Sequence, residues 1–186
     1  MKSLSAADLS MIRDLRCAGV LQNMDGNKIP DNDGTIVISC ADGDRISDIL
    51  EFHRKQCDSH ECHHPLTLNG GPLLIPRDSP VADKEHPEGP VILKHVVGAN
   101  KIKNISTIVA YGHWPCGAAL ASGLSLYQTL ELFVKSKDNI RQFLQAREIK
   151  PSVVACFHVD YGSGVKRSYF FHRKQWYEWI KKLAAA

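Results

Sequence analysis

Two short stretches of this chain carry the residue types that ligate transition metals. One reads Tyr111-Gly112-His113-Trp114-Pro115-Cys116-Gly117 and sets an imidazole and a thiol three positions apart. The other reads Cys40-Ala41-Asp42-Gly43-Asp44-Arg45, with a thiol, two carboxylates and a guanidinium in close succession. Thiolate and imidazole are ligands that zinc favours, and a catalytic zinc site needs three of them from the protein. His-x-x-Cys alone supplies two, so a third ligand must come from elsewhere in the chain.

Both stretches follow apolar, β-branched runs, Thr-Ile-Val-Ile-Ser at 35–39 and Thr-Ile-Val-Ala-Tyr at 107–111. Such runs read as buried strands, and α/β sheets bind ligands beyond the carboxyl ends of their strands. If the two strands are parallel neighbours, Cys40, His113 and Cys116 converge at one end. Two thiolates and one imidazole leave a fourth tetrahedral position for water, substrate or a carboxylate. That is the donor set of a catalytic zinc site rather than a closed structural one.

The remaining elements must build that sheet. Ser5 is placed to cap a helix over 6–17, which Gly19 ends. Residues 22–34 are rich in Asn, Asp, Gly and Pro and read as loop. A short amphipathic helix is expected over 46–55, with Ile49, Leu50 and Phe52 inward. A strand at 65–68, a turn at Asn69-Gly70-Gly71 and a polar loop at 77–89 follow. The pattern then gives a helix over 89–98 and a long helical stretch over 117–146, interrupted near Ser136. A strand at 152–159, a turn at 161–164, a hairpin strand at 166–172 and a helix at 175–183 complete the chain. That last helix has Trp176, Trp179 and Ile180 on one face. Strands alternating with helices predict an α/β fold: a mostly parallel central β-sheet flanked by helices. The reading divides the chain into an N-terminal helix and loop, 1–34, and a zinc-binding α/β domain, 35–186.

Composition narrows the function. An apolar fraction of 44% in 186 residues supports one real core. A net charge of +3 with no long Lys/Arg run argues against a nucleic-acid partner. The apolar runs fall far short of a membrane span, and the first residues have no hydrophobic signal core. The expectation is a soluble, cytoplasmic protein. In that setting the six cysteines are better read as ligands, catalytic groups or buried thiols than as disulfides. Cys17 and Cys156 are expected in the core, and His95 and His158 as buried, hydrogen-bonded histidines. The cluster Cys57, His60, Cys62, His63 and His64 is read first as a polar surface loop with incidental metal affinity. Its other readings are a second metal site or a proton shuttle.

The two motifs together resemble those of the β-class carbonic anhydrases, which pair Cys-x-Asp-x-Arg with Gly-His-x-x-Cys-Gly. Here these are Cys40-Ala-Asp42-Gly-Asp44-Arg45 and Gly112-His113-Trp-Pro-Cys116-Gly117. The resemblance runs over roughly 35–171. It implies Zn2+ held by Cys40, His113 and Cys116, and zinc-bound hydroxide attacking CO2 to give bicarbonate. It implies Asp42 and Arg45 as catalytic residues, with the aspartate accepting a hydrogen bond from the hydroxide and the arginine orienting it. In some members the arginine lets go and the aspartate becomes the fourth ligand, a role Asp42 would take. It also implies a homodimer or larger homo-oligomer, with the 6–17 helix as a dimerisation arm. Two positions depart from the family pattern. Asp44 stands where the arginine is expected and Arg45 is one residue late, and Leu68 replaces the arginine of an Arg-Asn-Ala-Gly stretch. Carbonyl sulfide or carbon disulfide are alternative substrates. A catalytically inactive zinc protein, serving as a binding or structural module, is the alternative function.

Overall fold

The structure, a computed structural model, describes residues 4–24, 29–30, 33–57 and 63–185. In chain order the elements are α1 (Ala6–Cys17), β1 (Leu21–Asn23), β2 (Thr35–Cys40), α2 (Ile46–Gln56), β3 (His63–Leu68) and a 3-10 turn (Gly71–Leu74). They continue with α3 (Gly89–Lys103), β4 (Thr107–Trp114), α4 (Gly117–Ala121), α5 (Leu126–Gln145), β5 (Ser152–Gly162), β6 (Val165–Phe171) and α6 (Arg173–Ala184).

The β-branched runs form the centre of one six-stranded sheet, ordered β1-β6-β5-β4-β2-β3. β3, β2, β4 and β5 are parallel, and β6 and β1 add antiparallel at one edge. β2 and β4 are direct neighbours, in register from Thr35↔Thr107 to Ile38↔Ala110. Every residue of both is buried, as expected for parallel strands covered on both faces. Alternate side chains serve opposite faces. Ile36, Ile38, Ile108 and Ala110 pack with residues of α1, α3, α5 and α6. Val37, Val109, Tyr111 and Cys156 pack on the other face with Ile49 of α2.

Three local differences from the sequence pattern have identifiable causes. β4 runs on through Gly112 to Trp114, so His113 lies on the strand rather than in a loop. Gly112 does not end the strand. It makes room, because a Cβ there would lie 2.9 Å from the ring of Phe157 on β5. The helical stretch breaks at 122–125 and not at Ser136. Gly123 has φ +72°, and Ser125 opens α5 with a capping box to Gln128. Ser136 sits buried inside α5, its hydroxyl satisfied by donating to the Leu132 carbonyl at 2.8 Å.

α1 starts where expected, with Ser5 and Asp8 forming a reciprocal capping box. Its Ile12 and Leu15 enter the same core as Tyr169 and Trp176, and β1 pairs with β6. α1 and β1 therefore contribute to the main core. No helix among the described residues is long and apolar enough to cross a membrane.

Candidate metal centre

Because β2 and β4 are parallel neighbours, their carboxyl ends bring Cys40 and His113 together. The chain leaves β4 through Pro115, after a cis Trp114–Pro115 peptide, and Cys116 sits at the start of α4. The thiols of Cys40 and Cys116 and the His113 ring all offer ligand atoms within 4.8 Å of one another. All three residues are at least 95% buried, with exposures of 5%, 1% and 2%.

The electrostatics of the group suit a cation. Neither ring nitrogen of His113 has a hydrogen-bond partner among the described residues. A buried imidazole left in that state is costly, and a metal ion would relieve it. The hydrogen bond from the Cys116 thiol pulls Cys40 down to about 4 against the opposing effect of burial, with help from the His113 ring and the Gly70 N–H. The same bond and burial push Cys116 up. Cys40 is thus the thiol that ionises first, and the Cys116 proton is the one a metal would displace.

The turn after β3 closes over this group. Gly70 donates its N–H to Cys40 Sγ at 3.2 Å. Gly71 has φ +52°, and a Cβ there would lie 2.5 Å from the Cys40 backbone nitrogen. Only glycine lets the chain come this close.

Asp42 and Arg45 stand beside the group. Asp42 starts a tight turn, its carbonyl accepting from the N–H groups of Arg45 and Ile46. Its Oδ1 accepts from the Asp44 N–H at 3.0 Å. The extra residue Gly43 is absorbed in that turn, and Arg45 Nη1 reaches Asp42 Oδ1 at 3.5 Å. Arg45 Nη1 is also 3.6 Å from Asp44 Oδ2. Nη2 donates to Asp160 Oδ2 at 3.0 Å, a pair in which both side chains are nearly fully buried. Asp160 is itself held by the Gly162 N–H at 2.9 Å. Asp42, Asp44, Arg45, Pro115, Gly117, Leu120 and Ala121 line an open cleft of about 360 Å³.

The structure thus brings Cys40, His113 and Cys116 into one group and puts Asp42 next to Arg45 rather than inside it. Sequence reasoning missed Asp160, which lies near the end of β5, far along the chain, and carries no local signal. It also missed the closeness of Gly71 to Cys40, although paired glycines after a strand were a cue. Trp114 and Tyr111 are core residues. His158 is buried and bonded to Ser168 as expected, but His95 and Cys17 are exposed, on helix faces turned to solvent. His60 and Cys62 lie outside the described residues. Cys57 and His63 do meet, with His53, at the opposite end of the sheet, which separates them from the cleft and from any proton shuttle there.

No protein-family model and no curated protein sequence matches the chain. Solved structures do. The β-carbonic anhydrase CafD of the filamentous fungus Aspergillus fumigatus is 14% identical, with a TM-score of 0.47, over 82% of this chain and 99% of that one. The β-carbonic anhydrase CafA of the same fungus is 15% identical, with a TM-score of 0.39, over 88% and 84%. A structure from a study of two tetrameric β-carbonic anhydrases of Sordaria macrospora is 10% identical, with a TM-score of 0.37, over 88% and 90%. These solved structures, to which the fold of this chain is similar, are β-carbonic anhydrases.

Proposed function

We propose that this chain is a zinc-dependent, carbonic anhydrase-like lyase that hydrates CO2 reversibly to bicarbonate. The observation that carries the reading is the convergence of Cys40, His113 and Cys116 within 4.8 Å, beside a carboxylate that a guanidinium holds at a cleft. The three donors fit zinc in type and number, and the unpartnered His113 ring supports that fit. Zinc held there would supply a Lewis acid that lowers the pKa of a coordinated water toward about 7.

The chain's own groups do the rest. Asp42 lines the cleft, and its described contacts fall on Oδ1, leaving Oδ2 to accept a hydrogen bond from the attacking oxygen. Arg45, anchored by Asp160, holds the Asp42 carboxylate through Oδ1. Pro115, Leu120 and Ala121 give the cleft an apolar wall, which suits a small, weakly hydrated substrate such as CO2. Carbonyl sulfide and carbon disulfide share that shape and electrophilic carbon.

A catalytically inactive zinc protein is the second reading. One observation favours it: Arg45 is divided among three carboxylates, of Asp42, Asp44 and Asp160, so its hold on Asp42 is diluted. For the setting we propose a cytoplasmic homodimer or larger homo-oligomer with no nucleic-acid or membrane partner. Exposed Leu9 on α1 supports that helix as the dimerisation arm.

Stopped-flow CO2 hydration on protein of measured zinc content tests the reading. The expected result is activity that rises with pH and falls about 100-fold or more in Asp42→Asn. A zinc-loaded chain that hydrates neither CO2 nor the sulfur analogues would leave the inactive zinc protein as the function.

A further inference from the structure

The chain holds a second group of metal-ligating side chains, at the amino ends of β2 and β3. His53, Cys57 and His63 offer ligand atoms that all lie within 4.8 Å of one another. They come from the last turn of α2, the residue that caps it, and the first residue of β3. His53 is fully buried and Cys57 nearly so. We propose that His53, Cys57 and His63 bind a second zinc ion, which ties the end of α2 to the edge strand β3.

Four observations support a metal here beyond the mere presence of the residues. His53 and Cys57 are four positions apart, so the helix puts both on one face. His53 Nε2 and Cys57 Sγ are 3.5 Å apart. Tetrahedral zinc with ordinary Zn–N and Zn–S bonds sets that edge at about 3.5 Å. Thr35 Oγ1 lies 2.8 Å from His53 Nε2 and 2.9 Å from His63 Nδ1, so both nitrogens face one point; an ion there would replace the hydroxyl as their partner, with water at the fourth corner. On the far side of its ring, His53 Nδ1 is 3.2 Å from the Tyr111 hydroxyl. That contact fixes the ring with Nε2 facing the group, the kind of outer support that metal-bound histidines use.

The ligand set argues for zinc among common metals. One thiolate with two imidazoles is too soft for calcium or magnesium and suits zinc. Thr35 and Cys40 mark opposite ends of β2, so the two groups are about 16 Å apart. The second ion therefore takes no part in chemistry at the first. Its effect is mechanical. β3 has β2 as its sheet partner, and a ligand on its first residue pins the register Thr35↔His63.

The alternative is a purely hydrogen-bonded arrangement, with the Thr35 hydroxyl bridging two imidazoles. The experiment is a Co2+ titration of the metal-free full-length chain, with metal content after zinc reconstitution measured in parallel. The wild type should take up two equivalents, and Cys57→Ser and His63→Ala one each. Sulfur-to-cobalt charge-transfer absorbance should fall by about a third in Cys57→Ser, since one of three thiolates is lost. Cys116→Ser should keep one equivalent, held through Cys57. A Cys116→Ser chain that binds none, or a Cys57→Ser chain that still binds two, would overturn the proposal. If a variant does not fold, the wild type decides: a single equivalent whose spectrum carries the charge-transfer intensity of two thiolates places the ion at Cys40 and Cys116 and overturns it too.

Discussion

Arg45 is the residue on which the candidate site's electrostatics depend. Its side chain is buried and meets Asp160 at 3.0 Å in a pair closed to solvent. Breaking such a pair from one side strands a charge, at a cost of about 3–5 kcal/mol. Asp160→Ala should therefore lower the urea unfolding free energy by an amount in that range, reduced by what Asp42 and Asp44 recover. A loss below about 1 kcal/mol would mean that Asp160 does not hold Arg45. Because Arg45 would then lean on Asp42, the same variant should alter activity more than zinc content. His158 gives a second prediction at this scale. Burial, and next the nearby His113, lowers its pKa from 6.5 to about 4, and a metal held by Cys40, His113 and Cys116 would push the same way. The unfolded chain takes up this proton near pH 6.5, whereas the native state resists until about pH 4. The stability is thus complete above pH 6.5 and is lost as pH falls through that window. The total is on the order of 3 kcal/mol. Urea midpoints from pH 7 to 4 should show this slope in the wild type and a shallower one in His158→Gln. Identical slopes would remove His158 as its source.

At the scale of elements, the site was legible where local pattern and final structure agree. The β-branched runs at 35–39 and 107–111 are β2 and β4, and the thiols and imidazole at their ends come together because those strands are neighbours. The capping box at Ser5 fixed the start of α1. What was not legible depends on contacts distant in sequence. Asp160 meets Arg45 across 115 positions. His113 is on a strand because Phe157 of β5 fills the space that Gly112 leaves, and no window around Gly112 contains that fact. His53 read as one polar residue on a helix, and its partners became visible only once β3 lay beside β2. The Gly70-Gly71 turn lies between these cases, since its type was evident but not its target. Comparing two glycines isolates that target. Gly71 and Gly123 both have positive φ, at +52° and +72°. A Cβ at Gly71 would meet the Cys40 backbone at 2.5 Å, whereas one at Gly123 meets nothing within 4 Å. Gly123→Ala should cost about 1 kcal/mol of backbone strain. Gly71→Ala should cost more, about 1–3 kcal/mol beyond that, and should also weaken zinc binding in a chelator competition. Equal effects on zinc affinity would show that the turn does not position Cys40.

For the whole molecule, the two groups of candidate ligands lie at opposite ends of one parallel sheet. Cys40, His113 and Cys116 join the carboxyl ends of β2 and β4 to α4, while His53, Cys57 and His63 join α2 to the amino end of β3. The unfolded chain holds neither group together, so metal bound at either one favours the native state by mass action. At a free zinc concentration 100 times the dissociation constant, each site contributes about 2.7 kcal/mol. Chelation should therefore lower the melting temperature of the wild type substantially. In Cys116→Ser the chelator shift should shrink without vanishing, because the second group remains. In Cys57→Ser it should shrink by a comparable amount, and in the double variant it should disappear. Hydrogen exchange separates the two ends. Chelation of Cys116→Ser should speed exchange in β3 and late α2, and leave the end of β4 as it was before chelation. A chelator shift abolished by Cys116→Ser alone would mean that the sheet is tied at one end only. The edge strand would then rest on its hydrogen bonds to β2.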